Sequence, residues 1–411
     1  MAEATTPKSS AIVSVGAIFA ALSGFSILII TARTLTAEDN AIFLAFWSTL
    51  FLITGILSGI QQEVTRAVAN ESLISRKEES VRPLILGISI GVLASLAFLA
   101  VSPLLSHVLE TDYPAAFTSL LIACGLTLYA GQVSLLGVLG GNKNWNLFAS
   151  ITSCEALGRL TFITLVALTA ATTLRFEIAT VIAFALWLLF FLHPQVCRSS
   201  HFLVSVSWKK MTRQIGLALA ASGATALLIN GFPLLMALTT SLDEYKNSAD
   251  LVMAVSITRA PLLVPIFAFQ SVVIAHYVTH PEKRRSTTRT LFLGLSGFAL
   301  CASPIVALIG PTIMHAVFGA SYRSTGMILG ILIVDATLLA LLVLGGTITI
   351  ALTNYKACLL GWYTTATVSF VLMLLPFSLE ARTLSTLTFG PLLGIAIHFS
   401  TILRSDRERR I

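Results

Sequence analysis

The sequence predicts an all-α membrane protein, with about twelve transmembrane helices in two six-helix bundles around a central cavity. Three observations predict it. Of the 411 residues, 56% are hydrophobic and 11% charged, with a mean hydropathy of +0.88; a soluble domain carries roughly 25% charged residues. Apolar runs recur along the whole chain, each close to the roughly 20 residues that cross a bilayer core. Lys and Arg gather on alternate connections between these runs, the pattern that orients membrane helices.

The first six runs fall at about 11–32, 41–60, 84–106, 115–139, 147–171 and 177–193. The second six fall at about 215–239, 251–278, 290–310, 324–352, 358–378 and 383–403. They are continuous, and about twice the ten or so residues of a barrel strand, so they read as helices. The apolar run from Ala11 to Ile30 is longer than the core of a signal peptide, so it reads as a first helix that is retained. With the N-terminus in the cytoplasm, 19 of the 26 Lys and Arg lie inside, in clusters such as Arg66–Arg82, Arg198–Arg213, Lys283–Arg289 and Arg404–Arg410. Arg33, Arg175, Lys246, Arg323 and Arg382 fall outside, where Glu38, Asp39, Glu110, Asp112, Asp243 and Glu244 also collect. That asymmetry calls for an even number of spans and puts the C-terminus in the cytoplasm too.

Pro194–Arg213 is the long polar connection in the middle of the chain. It divides an N-terminal six-helix bundle (1–193) from a C-terminal one (214–411, ending in a short basic tail), with 194–213 as a basic cytoplasmic linker. A faint echo joins the halves: Leu22–Phe46 and Ala221–Val255 each hold a Ser-Gly helix, an acidic outer loop with Asn, and a second apolar helix. Six-helix halves of this kind are a recurrent transporter plan. Trp145, Trp208 and Trp47 fall near predicted membrane interfaces, whereas Trp187 does not. Gln61–Pro83 reads as a helix end running out along the cytoplasmic surface, and Pro311–Arg323 as a segment in the outer interface.

Several function classes are disfavoured. The basic residues sit at helix ends without interleaved aromatics, so no nucleic-acid partner is expected. The five cysteines are scattered, with no Cys-x-x-Cys pair, which argues against a metal or disulfide framework. No nucleotide, hydrolase or metalloprotease motif is present, so neither an enzyme nor a cofactor is expected.

What remains is a small set of charges deep in apolar segments: Glu155, Arg159, Arg259 and Asp335. A mid-bilayer charge costs about 2.5–3.5 kcal/mol on the mild insertion scale, and such residues are functional candidates by default. They point to a polar pathway and so to a transporter. Glu155 and Arg159 are four apart, acid first, on one helical face. They either lock helix packing as a neutral pair or line a cavity in which Arg159 meets an anion. Arg259 precedes Pro261 and Pro265, which predict a broken, cavity-lining helix; the alternative is an Arg snorkelling to the outer interface. A guanidinium fork matches phosphate. Asp335 either couples to an ion or proton, or pairs with an Arg on another helix. Gln61, Gln62, Glu63 and Arg66 crowd the end of span 2, as a cavity mouth or a solvated helix end. His398 titrates or packs.

The segment ARTLTAEDNAIFLAFWSTLFLITGILSGIQQEVTRAVA (Ala32–Ala69) resembles the N-terminal region of Wzx-type oligosaccharide flippases. These are polysaccharide-biosynthesis membrane proteins of the MATE/MOP superfamily, which also includes lipid II flippases. GNKNWN (Gly141–Asn146), the Glu/Arg pair of span 5, the Arg-Ala-Pro of span 8 and VFGASYR (Val317–Arg323) agree. The resemblance implies flipping of a polyprenyl-pyrophosphate-linked oligosaccharide across the plasma (bacterial cytoplasmic) membrane by alternating access. Arg159 and Arg259, with Gln61 and Gln62, would line the substrate cavity, and Asp335 and Glu155 would serve a coupling ion, Na+ or H+. The expected partners are the lipid-linked glycan, membrane lipids, and glycan polymerase or glycosyltransferase proteins. The chain lacks the two further helices usual in lipid II flippases. Two competing functions are a MATE-like exporter of organic cations and a non-transporting scaffold of a polysaccharide machine.

Overall fold

The computed structural model describes residues 7–71, 79–109 and 113–408. Arg76, Lys77, Glu110, Asp112, Arg409 and Arg410, which enter the charge pattern above, lie outside the described residues. The described chain is helical, and its one β feature is an isolated bridge between Val81 and Val204. The all-α membrane class is therefore confirmed.

The chain forms two compact units, Met1–Leu234 and Leu235–Ile411. The first contains α1 (Pro7–Thr34), α2 (Ala37–Glu71), α3 (Pro83–Val101), α4 (Ser106–Leu109), α5 (Ala115–Gly141), α6 (Trp145–Thr169), α7 (Thr173–Ala183), α8 (Pro194–Ser200) and α9 (Trp208–Ile229). The short α10 (Phe232–Leu238) crosses the boundary. The second contains α11 (Leu242–Asn247), α12 (Ala249–Thr279), α13 (Arg284–Phe318), α14 (Gly326–Ala351), α15 (Tyr355–Met373) and α16 (Leu379–Glu408). Among the described residues, ten helices are long and apolar enough to cross a membrane. The expected first and eleventh spans correspond to α1, whose described apolar stretch is the shorter Phe19–Thr34, and to α15, which carries hydroxyls at Thr364, Thr365, Thr367 and Ser369.

In the first unit α2 packs against α5 and α9, α3 against α5, and α1 against α6. Small residues allow these close approaches: a Cβ on Gly59 of α2 would lie 2.6 Å from the Ala218 carbonyl carbon of α9. The 194–213 segment is clasped to this unit. Val81 and Val204 exchange backbone hydrogen bonds of 2.9 Å each way, and the Ser205 N–H donates to the Glu71 carboxylate at 2.8 Å. In the second unit α14 is central, contacting α12, α13, α15 and α16.

The helix break falls elsewhere than Pro261 and Pro265 suggest. α12 runs unbroken through both prolines. A membrane helix tolerates proline where the surrounding protein re-satisfies the freed backbone. Span 7 breaks instead at Asn230–Gly231, between α9 and α10. The loosened groups there are met by α2. Ser48 Oγ donates to the Asn230 carbonyl at 2.6 Å and accepts from the Leu234 N–H at 3.1 Å. Asn230 Nδ2 donates to the Phe51 carbonyl at 3.1 Å. The first part of the Pro311–Arg323 segment is helical: α13 continues through Pro304 and Pro311 to Phe318 and stops at Gly319, whose φ of 113° suits only glycine.

The halves echo each other most closely where the sequence hides it. α5 ends with the Asn144 N–H donating to the Leu139 carbonyl (2.8 Å) and Lys143 in the left-handed region at φ 58°. α14 ends in the same way, with the Asn354 N–H donating to the Thr349 carbonyl (2.9 Å) and Thr353 at φ 60°. Both are helix-ending closures in which glycine is the usual left-handed residue. For a β-branched residue this conformation costs about 1–2 kcal/mol. Thr353→Gly is therefore expected to raise stability by about 1 kcal/mol, read as a higher unfolding midpoint in detergent.

Candidate functional site

The first unit holds a buried arginine–carboxylate ion pair, and the second buries an arginine and a carboxylate on adjacent helices. In the first unit, α6 places Glu155 and Arg159 one turn apart on the same face, and the two side chains form an ion pair. Glu155 is 7% exposed and Arg159 9%. The guanidinium carbon of Arg159 lies 4.9 Å from the ring centre of Phe51, 5.4 Å from Phe184 and 5.7 Å from Trp47. The rings brace one another, with Trp47 and Phe51 at 4.4 Å and Phe51 and Phe184 at 6.1 Å, and Tyr129 packing edge-on to Phe184 at 5.2 Å. Trp47 and Phe51 stand four apart on α2, so one helical face supplies two walls of the cage. Desolvated cation–π contacts of this kind are worth about 2 kcal/mol. Ser23 of α1 donates to the Ala156 carbonyl at 2.7 Å, fastening α6 at the same level.

In the second unit, Asp335 of α14 is 3% exposed and accepts from Thr388 Oγ1 of α16 at 2.7 Å. Its second oxygen has no hydrogen bond among the described residues. Arg259 of the neighbouring α12 is 7% exposed, and it and Asp335 act on each other's charge. Arg259 is thus enclosed by protein, and Asp335 lies on the helix packed next to its own.

Gln61 and Gln62 sit apart from these groups. Ten or more residues separate them from Phe51 on α2, about 15 Å along a helix. Gln61 is half-buried, while Gln62 is exposed and lies 3.4 Å from the Ser222 hydroxyl. Glu63 is buried and takes two hydrogen bonds from Arg66, at 2.6 and 2.8 Å. His398 packs: it is fully buried, its Nε2 donates to the Cys358 carbonyl at 3.2 Å, and its ring lies against Gly345 and Gly361.

Four deep charges is an undercount. Glu177 of α7 has no exposed surface and accepts from Thr118 at 3.1 Å. It sits where the apolar run of span 6 begins, so its place in the sequence resembles a solvated helix end. Arg382, expected in an outer loop, is 7% exposed and donates to the carbonyls of Thr239 (2.7 Å) and Met373 (3.0 Å). It thus caps the ends of α10 and α15, where a cation is favoured by the helix dipole. Trp187 is also an inner residue: its indole N–H donates to the Leu128 carbonyl at 3.1 Å.

No family model matches the chain. It is 30% identical over 390 residues to Uncharacterized protein Rv3630 of Mycobacterium tuberculosis, covering 94% of this chain and 90% of that one. The chain belongs to this family. Its fold is that of MATE/MOP-superfamily transporters. An inward-facing multidrug resistance MATE family transporter of the MOP superfamily superposes with a TM-score of 0.72 at 14% identity, over 94% of this chain and 96% of the other. A MOP superfamily transporter from Pyrococcus furiosus, described as having a binding pocket of reverse polarity that suggests a different function, gives 0.67 at 12% identity, over 96% and 95%.

Removing one member of a buried ion pair strands the other, at a cost of about 3–5 kcal/mol, whereas removing both can be nearly neutral. Glu155→Gln or Arg159→Met alone should lower the unfolding midpoint markedly, and the double variant should recover most of the loss. A double-mutant cycle on thermal unfolding in detergent reads this directly.

Proposed function

We propose that the protein is a membrane transporter that flips a polyprenyl-pyrophosphate-linked oligosaccharide across the plasma membrane by alternating access. One observation carries the reading: each unit buries an arginine and a carboxylate in helices long and apolar enough to cross a membrane, Arg159 ion-paired with Glu155 on α6, and Arg259 and Asp335 on the adjacent α12 and α14. Such groups are expensive in hydrocarbon, and a substrate pathway gives them a use. The fold supports transport as such, since its solved neighbours are transporters. The reverse-polarity pocket described for the Pyrococcus furiosus protein supports the idea that pocket charge varies within this fold.

In this mechanism the carboxylates hold the arginines until substrate arrives. The pyrophosphate competes with Glu155 for Arg159, and the aromatic cage keeps the guanidinium in place whichever anion it serves. Arg259 is a second guanidinium of the same chemistry, and Asp335, released, takes a Na+ or H+ that couples the return step. Glycan polymerase and glycosyltransferase proteins supply and consume the cargo. A second reading has its own support: the Asp335 oxygen without a hydrogen bond suits a cation-coupled exporter of organic cations.

Proteoliposomes carrying a fluorescent short-chain polyprenyl-pyrophosphate saccharide separate the two. Wild-type protein should move the lipid faster than protein-free vesicles do. Arg259→Met should slow it by about tenfold or more, the equivalent of one lost charge-assisted contact. Uptake of ethidium with no movement of the lipid would replace this reading with the exporter, and movement of neither would favour the scaffold.

A further inference from the structure

The second unit carries a cavity away from its Arg259–Asp335 couple. It has a volume of about 730 Å³ and lies between the start of α13 and the end of α16, within the range of about 300–1,000 Å³ typical of ligand sites. Its lining divides by chemistry. Arg285 and Arg289 form one rim, and Phe292, Leu293, Phe399 and Leu403 form the interior, where the rings of Phe292 and Phe399 pack at 5.6 Å. Leu293 and Leu403 stay 59% and 42% exposed, so the apolar part opens sideways to whatever surrounds the helices.

The basic cluster at this corner is divided by role. Arg284 is committed to the α12–α13 turn: its Nε donates to the Tyr277 carbonyl at 2.7 Å, while the Tyr277 hydroxyl donates back to the Arg284 carbonyl at 3.1 Å. Arg285 and Arg289 are exposed and form no ion pair with any described residue. They stand four apart on α13, one above the other on one face, where like charges repel. Glu282 shares the rim and leaves it net positive. Two stacked cations above an apolar trough complement a molecule with an anionic head and hydrocarbon tails. α13 is also the candidate span least covered by protein, with 6% of its most apolar window buried, so lipid is its natural neighbour.

The geometry points to a resident binding site for an anionic diacyl phospholipid of the phosphatidylglycerol type. Its phosphate lies on Arg285 and Arg289, and its chains run along Phe292, Leu293, Phe399 and Leu403. Polybasic pockets at the ends of membrane helices favour anionic head groups by about one factor of five per basic residue. The site is independent of the transport reading.

Native mass spectrometry of the delipidated full-length protein tests it, with 1-palmitoyl-2-oleoyl-phosphatidylglycerol and its phosphatidylcholine analogue as probes of equal tail. Phosphatidylglycerol should bind at least about tenfold more tightly. Arg285→Ala with Arg289→Ala should erase that preference, and Arg285→Lys with Arg289→Lys should retain it, as should Lys209→Ala with Lys210→Ala. Unchanged helical circular dichroism and elution volume confirm that each variant is folded. Inorganic phosphate or glycerol 3-phosphate at the lipid's concentration should not displace the lipid. Equal binding of the two lipids, an unaffected double alanine variant, or displacement by inorganic phosphate would each overturn the assignment.

Discussion

A polar group inside a bilayer has only the protein to turn to, and the architecture of both units follows from that constraint. Arg159 is its clearest expression. The guanidinium is matched in charge by Glu155 on its own helix and enclosed by rings from α2 and the end of α7. Three helices must therefore keep a fixed spacing for one side chain to be tolerated. The same logic places Arg382 over two helix ends and sets Thr388 against Asp335. It also explains the hydroxyl of Ser48, which serves backbone groups on another helix. Packing in this protein is organised around satisfying polar atoms as much as around filling volume.

Much of the fold was legible in the sequence because hydrocarbon imposes a coarse, length-based code. Long apolar runs separated by basic clusters reveal helices and their order, and the α5 to α6 and α14 to α15 boundaries fall within a few residues of expectation. Helix interruptions were harder to read. Two prolines in α12 suggest a break, yet the helix runs through them, while Asn230–Gly231, an ordinary pair in an apolar run, interrupts span 7. The deciding factor was a serine 182 residues away on α2, which local pattern cannot reveal.

The site was legible to the extent that its chemistry is local. Glu155 and Arg159 pair through helical periodicity alone, so spacing found them. Their aromatic cage draws on α2 and on Phe184, far off in sequence, and leaves no local signal. Glu177 is not legible in the sequence, because a carboxylate at the edge of an apolar run looks the same whether water or Thr118 donates to it. Arg382 reads as an outer-side charge for a similar reason, and the sequence does not show that its guanidinium donates to the Thr239 and Met373 carbonyls. Depth in the folded protein, rather than position along a hydropathy profile, separates a solvated charge from a buried one.

The interruption in span 7 has a mechanical consequence. An intact helix resists bending because each turn is riveted to the next. At Asn230–Gly231 part of that riveting has been handed to side chains reaching across from α2. Flexing there strains a few replaceable contacts and leaves the flanking rods whole, so the segment is built as a joint whose stiffness a single hydroxyl can adjust.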